Sequence, residues 1–188
     1  MIVAPGVLLC LGCSQAYLGG TPQEQKALSK AVLQIDYDTP PRSWREALER
    51  ADVVAVIQLK SLRYDEGSPS LPRTRFDADI IEVIKGSGAV STGLSISVMR
   101  YGGVRERAGE LMFIEEGGFA PWVVGQTLLV FLKWYDRFKS YTLAFGPAAA
   151  FELNTATNKV RVFTTGSFAA RHNGGDVAAL LAEVRAAR

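Results

Sequence analysis

The chain has 188 residues, of which 48 % are apolar and 10 % aromatic, enough to close the core of one domain without disulfide or metal staples. Its 21 basic and 19 acidic residues leave a formal charge of +2, far from the basic balance of a dedicated nucleic-acid binder. Cys10 and Cys13 are the only cysteines and His172 the only histidine, which excludes a thiolate zinc site, a disulfide within the domain, a catalytic cysteine downstream and a histidine triad. No metal or other cofactor is expected.

Residues 1–16 carry no charge, and Val7-Leu8-Leu9-Cys10-Leu11 is too short to span a bilayer but suits the core of an export signal. Two processing routes are open. Ser14-Gln15-Ala16 sets small residues where a signal peptidase requires them, giving a mature start at Tyr17, whereas Leu11-Gly12-Cys13 has the form of a lipoprotein box that would make Cys13 a lipidated first residue. The basic residue that normally precedes such a core is missing, and the alternative reading is a buried first strand, which no alternation supports. The expected location is outside the cytoplasm: periplasmic, secreted or lipid-anchored.

Residues 17–50 read as a short helical lead-in. Thr21-Pro22-Gln23-Glu24 is a capping box with proline at the first helical position and predicts a helix running to Gln34; residues 36–41 break it. Ser43-Trp44-Arg45-Glu46 repeats the capping chemistry and opens a second helix ending near Arg50.

From residue 51 the pattern turns to strands. Residues 51–62 begin with Val53-Val54-Ala55-Val56-Ile57, buried at the start, and lead to an exposed turn at 65–72 rich in Gly and Pro. Residues 74–85 alternate through Phe76, Ala78 and Ile80, then change phase at Ile81 and Val83, which predicts a β-bulge near Ile80-Ile81. A strand through Leu94, Ile96 and Val98 stops at Tyr101-Gly102-Gly103, and a long polar connection spans 104–121. Leu128-Leu129-Val130-Phe131-Leu132 predicts the most buried strand; a strand at 141–145 and a hairpin from 151 to 163 follow. Beyond Gly174-Gly175, Asp176 caps a last helix with Val177, Leu180, Leu181 and Val184 at helical spacing, in a segment 164–188 read as linker and helix. The expected fold is mainly β (α+β): residues 51–163 as a five- or six-stranded antiparallel barrel of the OB type with short flanking helices.

Ala51-Asp52-Val53-Val54, Phe76 through Glu82-Val83-Ile84-Lys85-Gly86, Tyr101-Gly102-Gly103 and Gly125 through Leu132 resemble, in that order, the landmarks of uncharacterised exported bacterial proteins with an OB-type barrel, related in fold to the netrin-like domain and the tissue inhibitors of metalloproteinases. The resemblance covers about residues 51–163 and speaks to fold more than function. Inhibitors of that fold chelate a protease's zinc through an N-terminal cysteine pinned by disulfides. Here Cys13 becomes N-terminal only by the lipoprotein route, which acylates its amine, and the barrel has no cysteine to pin it.

Arg100, Tyr101, Arg105 and Arg107, with Trp134 and Tyr135 beside Lys133, Arg137, Lys139 and Tyr141, interleave cations and aromatics as a nucleic-acid face would. The competing reading is that Trp134 and Tyr135 cap the barrel end while the charges are solvated. Glu115-Glu116 and the Asp77, Asp79 pair read as solvated carboxylates, Gly86-Ser87-Gly88 as a turn, Lys85-Gly86 as a strand stop using glycine's positive φ, and His172 as an exposed linker residue. The function expected is a non-enzymatic exported module that binds a protein or cell-envelope component through the barrel face or the 104–121 connection, with a nucleic-acid or oligosaccharide binder as the alternative. An enzymatic reading requires two acids converging at roughly 5–10 Å in a cleft.

Overall fold

The computed structural model describes residues 29–35, 37–65, 72–86, 88, 90–107, 110–117, 119–164 and 168–188. Residues 1–16 with Cys10 and Cys13, read from the sequence as an export segment, the capping box at 21–24 and most of the turn at 65–72 lie outside the described residues. Helix α1 (Trp44–Arg50) starts where its cap predicts: the Ser43 hydroxyl accepts from the Glu46 amide, and the Glu46 carboxylate reaches back to the Arg42 amide rather than to the cap's own. Lys85 holds the other end, its ammonium donating to the carbonyls of Leu48 at 2.6 Å and Ala51 at 2.7 Å. Gly86, next to it, does not use positive φ; a Cβ there would meet Val90 at 2.7 Å, so its glycine serves close packing.

Strands β2 (Val53–Asp65) and β3 (Arg73–Lys85) form a long antiparallel pair whose register skips Ile81, since Val56 faces Glu82 and Ile57 faces Ile80. This is the bulge that the change of hydrophobic phase predicts. β4 (Ser95–Tyr101) pairs with β3, β7 (Thr127–Tyr135) with β2, and β8 (Ser140–Leu143) with both β7 and β4. The sheet therefore returns on itself as a ring of five strands, β2-β3-β4-β8-β7, and β9 (Ala150–Asn154) and β10 (Lys159–Val162) extend it from β7 to seven. The ring is not wholly antiparallel as expected, because β4 and β8 run parallel.

Two segments differ from the sequence reading. The 104–121 connection contains a hairpin of β5 (Gly103–Arg107) and β6 (Glu110–Glu116). Residues 29–33, placed in a helix by the capping box, are instead strand β1 (Ser29–Leu33), parallel to β6. A short helix gains little in water, whereas β6 offers a full row of backbone partners. Together β1, β6 and β5 make a separate three-stranded sheet. The chain enters it through Gly102, at φ +93°, where a Cβ would lie 2.7 Å from the Ile114 carbonyl oxygen; only glycine fits this corner.

Alternation divides β2 and β7 between two apolar layers. Val53, Ala55, Ile57 and Leu59 face the ring interior with Leu128, Val130 and Leu132, and that interior is plugged by Phe119, Trp122 and Phe163. Val54, Val56, Leu129 and Phe131 face outward under α1, β9 and helix α2 (Val177–Ala186), whose Leu180 and Val184 are buried there. Burial on both faces is why these strands read as unbroken apolar runs, each Val, Ile, Leu or Phe contributing about 1.5–3 kcal/mol. Asp176 caps α2 as expected, accepting from the Ala179 amide at 2.8 Å, and the Trp44 indole N–H donates to Glu183 to tie the helices together.

Candidate ligand-binding cleft

β4 and β8 share only two residue pairs, Val98 with Tyr141 and Met99 with Thr142, and then diverge. A cleft of about 250 Å³ opens where they part, bounded by both strands, the end of β6, the turn after β7 and Ile35, Tyr37 and Asp38 of the lead-in. Tyr37, Tyr101, Tyr135 and Phe138 line it as aromatic walls. Tyr135 and Phe138 stack at 5.0 Å, and the Tyr37 ring packs on Gly146, at φ +65°, in the space a Cβ would fill.

A buried polar network organises this opening. Arg100 of β4 pairs with Glu116 of β6 at 3.3 Å, donates to the Ala120 carbonyl at 3.2 Å, and lies 3.4 Å over the Phe119 ring and 5.0 Å from Trp122. Tyr37 donates its hydroxyl to the other oxygen of Glu116. Burial pushes the Glu116 carboxyl above its ordinary range, opposed by Arg100 and by the Tyr37 hydrogen bond. Burial likewise lowers Arg100, opposed by Glu116, and raises the Tyr37 phenol, which Glu116 raises further. Each group thus depends on the other two, and one element from each part of the fold supplies it: the lead-in, the ring and the small sheet.

The residues singled out in the sequence fall at different places. Arg100, Tyr101 and Tyr135 line the cleft, whereas Trp134 lies in a second, open concavity of about 940 Å³ with Asp52, Lys85 and Tyr141. Adjacent residues of one strand point to opposite faces, so Trp134 and Tyr135 cannot serve one surface. Both are exposed, at 43 % and 45 %. Arg105 and Arg107 lie in β5, where the backbone and not the side chains are described. Arg100 is not a cation offered to solvent, because it is buried and neutralised by Glu116. Lys139 is exposed and pairs with Asp136 at 2.6 Å, and the guanidinium over the Phe138 ring, at 4.1 Å, is that of Arg73.

Other expectations need correction. Glu116 is 3 % exposed, not a solvated carboxylate, because the small sheet carries it beneath the lead-in. Asp77 and Asp79, by contrast, are exposed as expected, each bonded across the ladder, to Ser61 and Ser95 at 2.9 and 2.6 Å. His172 packs its ring 5.0 Å from Trp44 in the turn Phe168–His172. Tyr37 and Asp38 went unread; their one signal was an aromatic residue between two aspartates in a segment of breakers. Among the described residues no group of three or more His, Cys, Asp or Glu side chains is placed to hold a metal ion, and no helix is long and apolar enough to cross a membrane. No protein-family model matches the chain, and no curated protein sequence matches it.

Proposed function

We propose that this chain is a non-enzymatic exported binding module on an OB-type barrel, and that an extracytoplasmic protein or envelope component seats in the cleft between β4 and β8. The ring of five strands supports the barrel reading, since a five-stranded, partly open barrel is the architecture of that type. The observation that carries the function is the cleft itself: a concave, aromatic-walled space whose polar groups are held by the Arg100, Glu116 and Tyr37 network, as binding sites require. Function is argued from this site, because the fold alone does not supply it.

Asp38 and Glu116 line the same cleft, the condition under which carboxylate chemistry on sugars stays open. Glu116 is committed to Arg100 and Tyr37, and exposed Asp38 pairs with Arg50 at 3.7 Å, which favours binding over proton transfer. The test is titration of ¹⁵N-labelled protein with extracytoplasmic extract of the native host. The amides of Tyr101, Tyr135 and Thr142 should shift while those of β9 and β10 stay fixed. No movement at the cleft, sugar turnover abolished by Asp38→Asn, or salt-steep oligonucleotide binding lost in Trp134→Ala would each overturn the reading. Export is tested separately by the intact mass of the protein from its host, with a start at Tyr17 or a lipidated Cys13 expected and an uncleaved Met1 contradicting it.

A further inference from the structure

We infer that the cleft takes one uncharged saccharide ring of its ligand, its faces against the aromatic walls and its hydroxyls on the Arg100–Glu116 pair; this rests on the cleft being the ligand site. A space of about 250 Å³ encloses a ring rather than a helix or an extended run of backbone. A sugar ring presents C–H faces that pack on aromatic side chains and an edge that both donates and accepts hydrogen bonds. Tyr101, Tyr135 and Phe138 offer the first kind of contact at the cleft, and Arg100, Glu116 and Thr142 offer the second.

Charge narrows the class. The acidic and basic residues lining the cleft are Arg100, Glu116 and Asp38. A phosphate or carboxylate would meet two carboxylates and a guanidinium already neutralised, so an anionic ligand gains nothing there. An ammonium group would meet Arg100, whose need is the opposite. The buried Nε–H of Arg100 has no acceptor among the described residues, although its two terminal nitrogens donate to Ala120 and Glu116. That nitrogen is closed to water and is not itself a ligand contact, but an uncharged ligand adds no charge beside the buried pair. Glu116 in turn is an acceptor for a ligand hydroxyl. A neutral ring bearing both donors and acceptors answers each of these demands.

The experiment is calorimetric titration of the full chain with uncharged trisaccharides of glucose, galactose, mannose and N-acetylglucosamine, alongside a sulfated glycan and a tetrapeptide, at 50 and 500 mM salt. At least one uncharged trisaccharide should bind with little salt dependence, and its affinity should fall tenfold or more in Tyr101→Ala and in Tyr135→Ala. The second residue is exposed enough that its loss leaves folding intact. Binding of the tetrapeptide or the sulfated glycan alone, or saccharide binding indifferent to both substitutions, overturns the inference. If host extract moves the cleft amides but no trisaccharide binds, the inference fails and the binding reading stands; if extract leaves them unmoved, both fail.

Discussion

Along β2 and β7 six consecutive pairs run from Val53 with Leu132 to Gln58 with Thr127, and apolar side chains cover both faces; across the ring, β4 and β8 share two pairs before they part. The first side is closed by burial, which is non-directional and tolerates no ligand. The second is closed by those two pairs and the Ser140 hydroxyl on the Ser97 carbonyl, and beyond them it leaves an opening whose polar groups are fixed by contacts among Tyr37, Arg100 and Glu116. A small ring of strands can thus keep its stability on one side and an open, polar cleft on the other.

The sharpest way to break this comparison is to remove one anchor from each side. Phe131→Ala deletes the ring that stacks on Trp44 at 5.9 Å and packs on Phe145 and Phe151, and should cost about 3–5 kcal/mol in urea unfolding. Glu116→Ala should cost up to about 3–5 kcal/mol, because it strands a buried guanidinium. The two losses differ in kind: adding Arg100→Met to Glu116→Leu should restore most of the stability, since apolar packing replaces a buried pair well, while trisaccharide binding stays lost. Failure of that rescue would mean the network stabilises the seam as burial does.

Gly146→Ala is gentler. Its Cβ would strike the Tyr37 ring, and the positive φ adds strain of about 1–2 kcal/mol. The same urea titration should show that loss, with amide shifts confined to the cleft.

The smallest effects are titrations of opposite sign. Burial holds His172 below its ordinary 6.5, with Glu183 opposing. Between the folded value and 6.5 the unfolded chain binds a proton that the folded one refuses, so stability is lost as pH falls below 6.5; His172→Phe should flatten that slope. Glu116 is raised above its ordinary 4.5, so the folded chain keeps a proton that the unfolded one releases. Its contribution therefore falls as pH rises above 4.5, and Glu116→Gln should remove it from the stability profile.

Much of the burial-closed side was legible in the residues. The phase change at Ile81 marks its bulge, and the run 128–132 marks a strand covered on both faces. The hairpin of β5 and β6 was legible in principle, since Ala108-Gly109 separates Val104-Arg105-Glu106-Arg107 from Leu111-Met112-Phe113-Ile114, but the charged run disguised it as a loop. The seam was not legible, because it joins Tyr37, Arg100 and Glu116 from three distant segments with no shared local pattern. Adjacency misled at Trp134 and Tyr135, which the pleat sends to different surfaces.

The measurement that most directly tests the β4–β8 cleft as the binding site is photo-crosslinking in the native host, with a benzophenone amino acid replacing Tyr101, Trp134 or exposed Ile81 in turn. A discrete adduct from position 101 that is absent from 134 and 81 is the result expected. Equal adducts from all three positions, or an adduct from 134 alone, would contradict the assignment.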